Sequence, residues 1–343
     1  MASRRSRGNR STTGRAAPSR TTAAHPGAAR PEPSAVRPSS THPLTRQRHE
    51  HATTTGTVVL VPDPDSPSSW TVEVNGVPSS YVDLEDATRV GFEYLEIMLA
   101  VIENMASGPL RVLHLGAAGC SLARAVDALR PGSRQVAVDP DTTLLSLVRD
   151  WFDLPRSPAL RLRAGEGREV LAGQRTASTD VVVRDAFAPD VTPDHLTTLE
   201  FDAEVARVLR PGGLYLANVA DRPPLSLARS EVATARAAFG AGNVALVAEP
   251  SVLRGRRYGN LVLAAVAPPA EENLEGQGTT LPPVDLDDAG LERRLRSLAA
   301  PVRILTSSGA RGEGDELGRF EAGARVRNDP APGWAPPGVT DAS

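Results

Sequence analysis

Apolar residues along the middle of the chain alternate between short strand-like runs and stretches with helical spacing. The first helical stretch covers 88–105, where apolar side chains recur every three or four residues. Strand-length runs between further helical segments follow at 111–115, 135–138, 160–163, 180–184, 214–219, 244–248 and 260–265. This alternation predicts an α/β fold of the Rossmann-like, doubly wound kind, in which helices cover both faces of a mostly parallel sheet.

A small antiparallel β unit is predicted ahead of that sheet. Strand-like runs occur at 57–61, 70–74 and 81–84, and Asn75-Gly76 between the last two is a strong hairpin signal. We therefore divide the structured part into a β-hairpin unit over 56–87 and a Rossmann-like domain over 88–267.

Both ends of the chain have a composition typical of disorder. Residues 1–55 contain no Phe, Trp or Tyr, and Val36 and Leu44 are their only large aliphatic residues. The other end is rich in proline, which predicts a linker over 268–288, a short appendage over 289–327 and a second disordered tail over 328–343. Four of the six histidines fall in the first tail, but their irregular spacing does not predict a metal site.

Charge divides the chain into a basic tail and an acidic body. All 38 basic residues are Arg; residues 1–52 hold ten Arg and two acids, and the remainder holds 28 Arg and 39 acids. The body therefore favours a cationic partner, and no specific nucleic-acid partner is predicted. Weak electrostatic binding of the tail to nucleic acid or anionic lipid stays an alternative to a merely solvated tail.

Composition also excludes several classes of protein. No apolar run approaches the ~20 residues that span a bilayer, so no membrane association is predicted. The single Cys120 excludes an intramolecular disulfide and a cysteine-based zinc cluster, and the absence of Lys excludes Schiff-base chemistry. We expect a cytoplasmic protein that uses no metal.

Small residues follow the first strand of the alternation, at the sheet edge where such folds bind ligands. Gly116, Ala117, Ala118 and Gly119 open a helix there, so backbone amides can approach a ligand; a plain strand-to-helix turn is the alternative. Asp139 ends the second strand about 20 residues later. Its carboxylate is suited either to a ribose diol or to capping the next helix.

Acids also follow the third and fourth strands. Glu166, next to Gly167, could accept from an exocyclic adenine amine or could favour the first turn of a helix. Asp185, followed by Ala186, ends a strongly apolar strand and could be a general base, an amine-binding group or half of an internal ion pair. His114 interrupts the first strand, and we interpret it as a core histidine with a satisfied hydrogen bond.

In order, these motifs resemble the polyamine aminopropyltransferases, the spermidine synthase family, within the class I S-adenosylmethionine-dependent methyltransferase-like fold. The resemblance covers about 57–267 and depends on the segments Tyr94-Leu95-Glu96, RVLHLGAAG, VAVD, GEG, VVVRDAF and VLRPGGLYLANVAD. It implies decarboxylated S-adenosylmethionine as aminopropyl donor, a di- or polyamine as acceptor, and a homodimer.

The resemblance also implies roles for particular residues. Asp185 is expected to be the base, Glu166 to contact adenine, and Tyr94 to contact the amine. Glu96, in the same helix, is a second expected substrate contact, although a solvated helix face is its default interpretation. The donor is expected to lie against the glycine loop, Asp139, Gly167 and Ala186.

At three positions the chain lacks an acid that the family carries: Gly119, Ala137 and Ala188. Leu95 also replaces a polar residue beside Tyr94. Two other functions therefore stay open. One is a small-molecule methyltransferase, because a pocket without the loop acid could accept S-adenosylmethionine with its carboxylate. The other is a non-catalytic nucleoside-binding relative.

Overall fold

The computed structural model describes residues 46–187, 191–268, 282–308 and 314–330. These residues form a small antiparallel sheet, a larger mixed sheet and the helices that cover it. None of the helices in these ranges is both long enough and apolar enough to cross a membrane.

The small sheet follows the chain in order and is antiparallel throughout. Its strands are β1 (His49–Thr53), β2 (Gly56–Pro62), β3 (Ser69–Val74) and β4 (Val77–Asp83). Asn75 and Gly76 join β3 to β4 with positive φ angles of 51° and 80°, which is the predicted hairpin turn.

Strand β1 corrects the predicted boundary of the amino-terminal tail. Disorder through residue 55 is wrong for His49–Thr53, which pair with β2 from His49↔Leu60 to Thr53↔Gly56. The strand contains no large apolar side chain, so its composition gave no signal, and its backbone pairing supplies the order. Residues 1–45 lie outside the described residues.

The central sheet has the order β12-β10-β11-β9-β8-β5-β6-β7. Its strands are β5 (Arg111–Leu115), β6 (Arg134–Asp139), β7 (Leu160–Ala164), β8 (Thr179–Arg184), β9 (Leu209–Asp221), β10 (Val244–Ala248), β11 (Gly259–Val266) and β12 (Arg303–Thr306). Strands β7, β6, β5, β8 and β9 are parallel, and β11, β10 and β12 add antiparallel pairs at one edge. The predicted α/β fold with a mostly parallel sheet is confirmed.

Helices cover both faces of this sheet. They are α1 (Glu93–Glu103), α2 (Ser121–Leu129), α3 (Thr142–Phe152), α4 (Gly167–Ala172), α5 (Leu199–Val208), α6 (Ser226–Phe239), α7 (Pro250–Leu253), α8 (Ala289–Arg296) and α9 (Glu316–Glu321). One apolar cluster packs α1, α2 and α8 on the sheet, and a second packs α5 and α6 on the opposite face. A third joins the small sheet to α3.

The connections place a topological switch beside β5. From β5 the chain adds β6 and then β7 on one side, and it then returns to add β8 on the other side. Strand β8 is buried at every residue, as expected for a central strand with both faces covered. The carboxyl ends of β7, β6, β5 and β8 consequently lie side by side, with the switch between β5 and β8.

The carboxyl-terminal predictions need correction. Val284 and Leu286, at the end of the predicted linker, are buried in the core; 269–281 lie outside the described residues. The predicted appendage contributes β12, which extends the central sheet through its pairing with β10. Asp329, placed in the second disordered tail, forms an ion pair of 2.5 Å with Arg168.

Candidate active site

The glycine loop after β5 approaches the end of β8 very closely. Gly116 has a φ of +98°, and a Cβ added there would lie 2.0 Å from the carbonyl oxygen of Asp185. The Gly116 N–H donates to the Val138 carbonyl (2.9 Å), and the Asp185 N–H donates to the Leu115 carbonyl (2.8 Å). A residue without a side chain is therefore required at 116 to bring the loop against the fourth-strand acid.

Two side chains from other elements hold the Asp185 carboxylate. The Tyr94 hydroxyl of α1 donates to Oδ2 at 2.9 Å, and the Asn218 amide of β9 donates to Oδ1 at 2.9 Å. Burial raises the pKa of the Asp185 carboxyl, and the hydrogen bonds from Asn218 and Tyr94 oppose that rise. The result is an oriented carboxylate of increased basicity at the switch point, which suits general-base chemistry.

Asp139 supports the glycine loop from the end of β6. Its Oδ2 accepts from the Ala117 N–H at 3.2 Å, and its Oδ1 accepts from the Asp141 N–H at 2.9 Å. Burial raises the pKa of Asp139, against the effect of these hydrogen bonds. Asp139 thus supports the loop backbone, while Asp141 caps α3 by accepting from the Leu144 N–H. The ribose contact of Asp139 stays a prediction.

The turn after β1 fixes Asp141 from the small sheet. The Thr54 N–H donates to Asp141 Oδ1 at 3.2 Å, and the Thr55 N–H and hydroxyl donate to Oδ2 at 2.9 and 2.6 Å. Burial raises the pKa of Asp141, but these hydrogen bonds outweigh burial and hold that pKa well below its ordinary value. The small sheet is in this way attached directly to the crevice.

Glu166, after β7, has two protein partners. It caps α4 by accepting from the Glu169 N–H at 3.0 Å, and its Oε1 lies 2.9 Å from His195 Nε2. Burial raises the pKa of Glu166, but the hydrogen bonds from His195 and Glu169 outweigh burial and lower it. The capping alternative is realised, and the adenine contact of Glu166 and Gly167 stays a prediction.

A pocket of about 410 Å³, counting the space at its open mouth, lies between the glycine loop, α1 and α2. Its lining includes Asp185, His114, Ser80 and the loop residues Gly116, Ala117 and Ala118. Among the residues that the structure describes, no Arg lines it and Asp185 is the one acid in its lining. The described lining is consequently suited to a cationic group and offers no cationic partner to a carboxylate.

Ser80 of the small sheet occupies the space beside Gly119. The Gly119 N–H donates to Ser80 Oγ at 2.9 Å, and a Cβ at Gly119 would lie 2.8 Å from Ser80 Cβ and 3.1 Å from Val82 Cγ2. An acidic side chain at position 119 therefore does not fit this packing, and this accounts for the absence of the family's loop acid from this chain.

The structure brings most of the predicted site residues to one crevice. Of these, Gly116, Ala117, Ala118 and Asp185 line the pocket, and Tyr94 contacts Asp185. The pocket lining does not include Gly119, Asp139, Glu166, Gly167, Ala186 or Glu96, although Leu95 beside Glu96 is part of it. Sequence reasoning missed Asn218, His195 and Ser80; of these, only Asn218 carries a usable signal, since it lies near the end of a strand next to β8. The family acid missing at Ala188 lies outside the described residues.

Within the ranges that the structure describes, no group of three His, Cys, Asp or Glu side chains is placed to hold a metal ion. Cys120 is buried, and burial raises the pKa of its thiol to about 12, so it is an unreactive thiol at neutral pH.

The sheet order and the polar groups at the strand ends define a class I methyltransferase-like α/β protein. No family model matches the chain. A probable spermidine synthase from Corynebacterium glutamicum of known structure is 32% identical, with a TM-score of 0.71 over 85% of this chain and 100% of that one. A spermidine synthase in complex with the transition-state analogue AdoDATO, 14% identical with a TM-score of 0.51, shares the fold.

Curated relatives agree over a shorter region. The polyamine aminopropyltransferase of Vibrio vulnificus is 30% identical over 162 residues, which are 47% of this chain and 53% of the relative. That of Chromobacterium violaceum is 29% identical over 140 residues, 40% of this chain and 53% of the relative. The chain belongs to the spermidine synthase family, the polyamine aminopropyltransferases, and it spans about half the length of these curated relatives.

Proposed function

We propose that the chain is an aminopropyltransferase that moves an aminopropyl group from decarboxylated S-adenosylmethionine to a di- or polyamine. The observation that supports this most strongly is the Asp185 carboxylate, which Tyr94 and Asn218 hold at the switch point beside a pocket without cationic side chains. Such a site is suited to a protonated amine and to a donor whose tail carries a positive charge.

The order of the strands suggests how the donor lies. Adenine is expected at the end of β7 near Glu166 and Gly167, and the ribose at the end of β6 near Asp139. The sulfonium and its tail then fall at the glycine loop, beside Asp185. The acceptor amine approaches from the side of α1, where Tyr94 lies.

The chemistry requires deprotonation of the acceptor and correct alignment. A free alkyl amine has a pKa of ~10 and is mostly protonated at neutral pH. Asp185 binds the ammonium ion and accepts one proton. The freed nitrogen lone pair attacks the methylene next to sulfur, the carbon–sulfur bonding pair stays on sulfur, and methylthioadenosine leaves.

Pocket charge argues for the decarboxylated donor over S-adenosylmethionine itself. A carboxylate on the tail would be buried beside Asp185 without an Arg among the lining residues to pair with it. A methyltransferase is the alternative that the missing acid at Gly119 favours. A methyltransferase from Mus musculus named for eEF1A lysine and N-terminal methylation is 29% identical over 41% of the chain and 22% of that relative.

The test is turnover by the purified full chain, with methylthioadenosine and S-adenosylhomocysteine measured by mass spectrometry. With putrescine or spermidine present, we expect methylthioadenosine from the decarboxylated donor and no S-adenosylhomocysteine from S-adenosylmethionine. Asp185→Asn should lower the rate by roughly 10²–10⁴-fold. S-adenosylhomocysteine formation would favour the methyltransferase, and no turnover with either donor would favour the non-catalytic alternative.

A further inference from the structure

His114 lies inside the pocket, on the face of the sheet that carries Asp185. His114 lies on β5, two residues before Gly116. It pairs in register with Val183 of β8, and Val183 is two residues before Asp185. Successive side chains on a strand alternate between faces, so His114 belongs to the layer directly below Asp185. The residue is 4% exposed and lines the same pocket.

Gln135 determines which nitrogen of His114 carries the proton. The Gln135 amide nitrogen donates to the Ala123 carbonyl at 2.8 Å, which directs its Oε1 toward His114 Nε2 at 2.9 Å. Since Oε1 can only accept, Nε2 is protonated and Nδ1 carries a lone pair. Burial lowers the pKa of His114 to about 4, so the ring is a neutral acceptor at pH 7. This identifies His114 as more than the core histidine expected from sequence.

The tail of the proposed donor ends in an ammonium group with three N–H donors. Both oxygens of Asp185 already accept a hydrogen bond, from Tyr94 and Asn218. Ser80 Oγ accepts from the Gly119 N–H. No hydrogen bond within the described residues engages His114 Nδ1, so this nitrogen is an uncommitted neutral acceptor on a residue that lines the pocket.

We propose that His114 Nδ1 accepts a hydrogen bond from the terminal ammonium group of the donor, which makes His114 a donor-specificity residue. The proposal depends on the proposed function, because it takes the donor's aminopropyl tail to enter this pocket. The neutral ring accepts from the donor's ammonium group, Asp185 is left to bind and deprotonate the acceptor amine, and Gln135 acts as the residue that fixes the tautomer.

The test compares two ligands that differ in that tail and in the positive sulfonium charge that the tail completes, so each ligand's affinity is compared between the wild-type chain and the variants. Decarboxylated S-adenosylmethionine carries the aminopropyl group, whereas methylthioadenosine has the same nucleoside and sulfur without it. Calorimetric titration of both ligands is done with the wild-type chain, His114→Leu and His114→Asn. In Asn the amide oxygen can take the place of Nδ1, whereas Leu offers no acceptor. His51→Leu is the matched control, since His51 lies on β1 against Trp151, 5.3 Å between ring centroids.

We expect His114→Leu to weaken binding of the decarboxylated donor by about 10- to 100-fold and to leave methylthioadenosine binding within about twofold. His114→Asn should recover part of the loss, and His51→Leu should change neither affinity. Equal weakening of both ligands, or no weakening of the decarboxylated donor, overturns the proposal.

A second measurement does not depend on ligand affinity. Long-range ¹⁵N–¹H NMR spectra of labelled wild-type chain should show His114 as the neutral Nε2–H tautomer at pH 7. An Nδ1–H tautomer or a charged ring would overturn the proposal. The two hypotheses can be distinguished. If the wild-type chain makes methylthioadenosine but His114→Leu binds the decarboxylated donor as tightly as the wild type does, only this inference is contradicted. A chain without turnover contradicts the proposed function.

Discussion

Replacing Gly116 by Ala tests whether close backbone approach assembles the site. The added Cβ would lie 2.0 Å from the Asp185 carbonyl oxygen and 2.6 Å from its carbonyl carbon, and these backbone atoms cannot rotate away. Its φ of +98° adds strain for any residue with a side chain. The strain costs about 1–3 kcal/mol, and overpacking costs about 1–3 kcal/mol more. We expect a total loss of about 2–6 kcal/mol in the free energy of unfolding.

Gly108→Ala is the control that separates strain from overlap. Gly108 has a φ of +125°, and nothing lies within 4 Å of an added Cβ there. Urea unfolding followed by circular dichroism should therefore place Gly116→Ala about 1–3 kcal/mol below Gly108→Ala. Donor binding should weaken in Gly116→Ala alone, because the loop must move away from β8. Equal losses of stability in the two variants would refute the reasoning.

Three further predictions concern Asp185 and the buried charges behind it. Tyr94→Phe removes a hydrogen bond that lowers the pKa of Asp185, so the acid limb of the rate–pH profile should move to higher pH. We also expect kcat/KM to fall about tenfold, and an unchanged acid limb would contradict the contact between Tyr94 and Asp185. Burial raises the pKa of Asp202 to about 8, so the folded chain retains a proton that the unfolded chain releases near pH 4. The free energy of unfolding should therefore fall with rising pH, by up to about 1.4 kcal/mol per pH unit between pH 4 and pH 8. Urea titrations from pH 5 to 8 should show that Asp202→Asn removes this slope, and an unaltered slope would contradict the prediction. Arg184 forms an ion pair of 2.5 Å with Glu231, and both side chains are 5% exposed or less. Arg184→Leu should lower the free energy of unfolding by about 3–5 kcal/mol in chemical denaturation, and adding Glu231→Leu should recover much of that loss. A small loss in Arg184→Leu alone would contradict a buried ion pair.

Periodicity was sufficient to predict the central fold. Strand β8 has three consecutive valines at its centre, Val181–Val183, and a strand buried on both faces needs such an apolar run. Strand β1 could not be predicted in this way, because its order comes from backbone pairing with β2 and from the adjoining turn at Thr54 and Thr55, which binds Asp141. Strand β12 has four residues and gains its structure only by pairing with β10.

The same contrast applies to the site. Asp185 and Asp139 end strands, so the geometry of parallel sheets predicted that they would lie at one edge. Ser80 reaches the glycine loop from another sheet, and His195 reaches Glu166 from a connection 29 residues further along. Contacts of this kind depend on tertiary packing and have no local pattern. The position of His114 on a strand was visible in the sequence, but its role depends on Gln135 and on the pocket.

The central claim is that the crevice holds an adenosyl donor whose tail carries an ammonium group and no carboxylate. Calorimetric titration of the wild-type chain with decarboxylated S-adenosylmethionine and with S-adenosylmethionine tests it most directly. We predict that the decarboxylated donor binds at least about tenfold more tightly, since its competitor buries an unpaired carboxylate beside Asp185. Equal affinity, or tighter binding of S-adenosylmethionine, would contradict the claim.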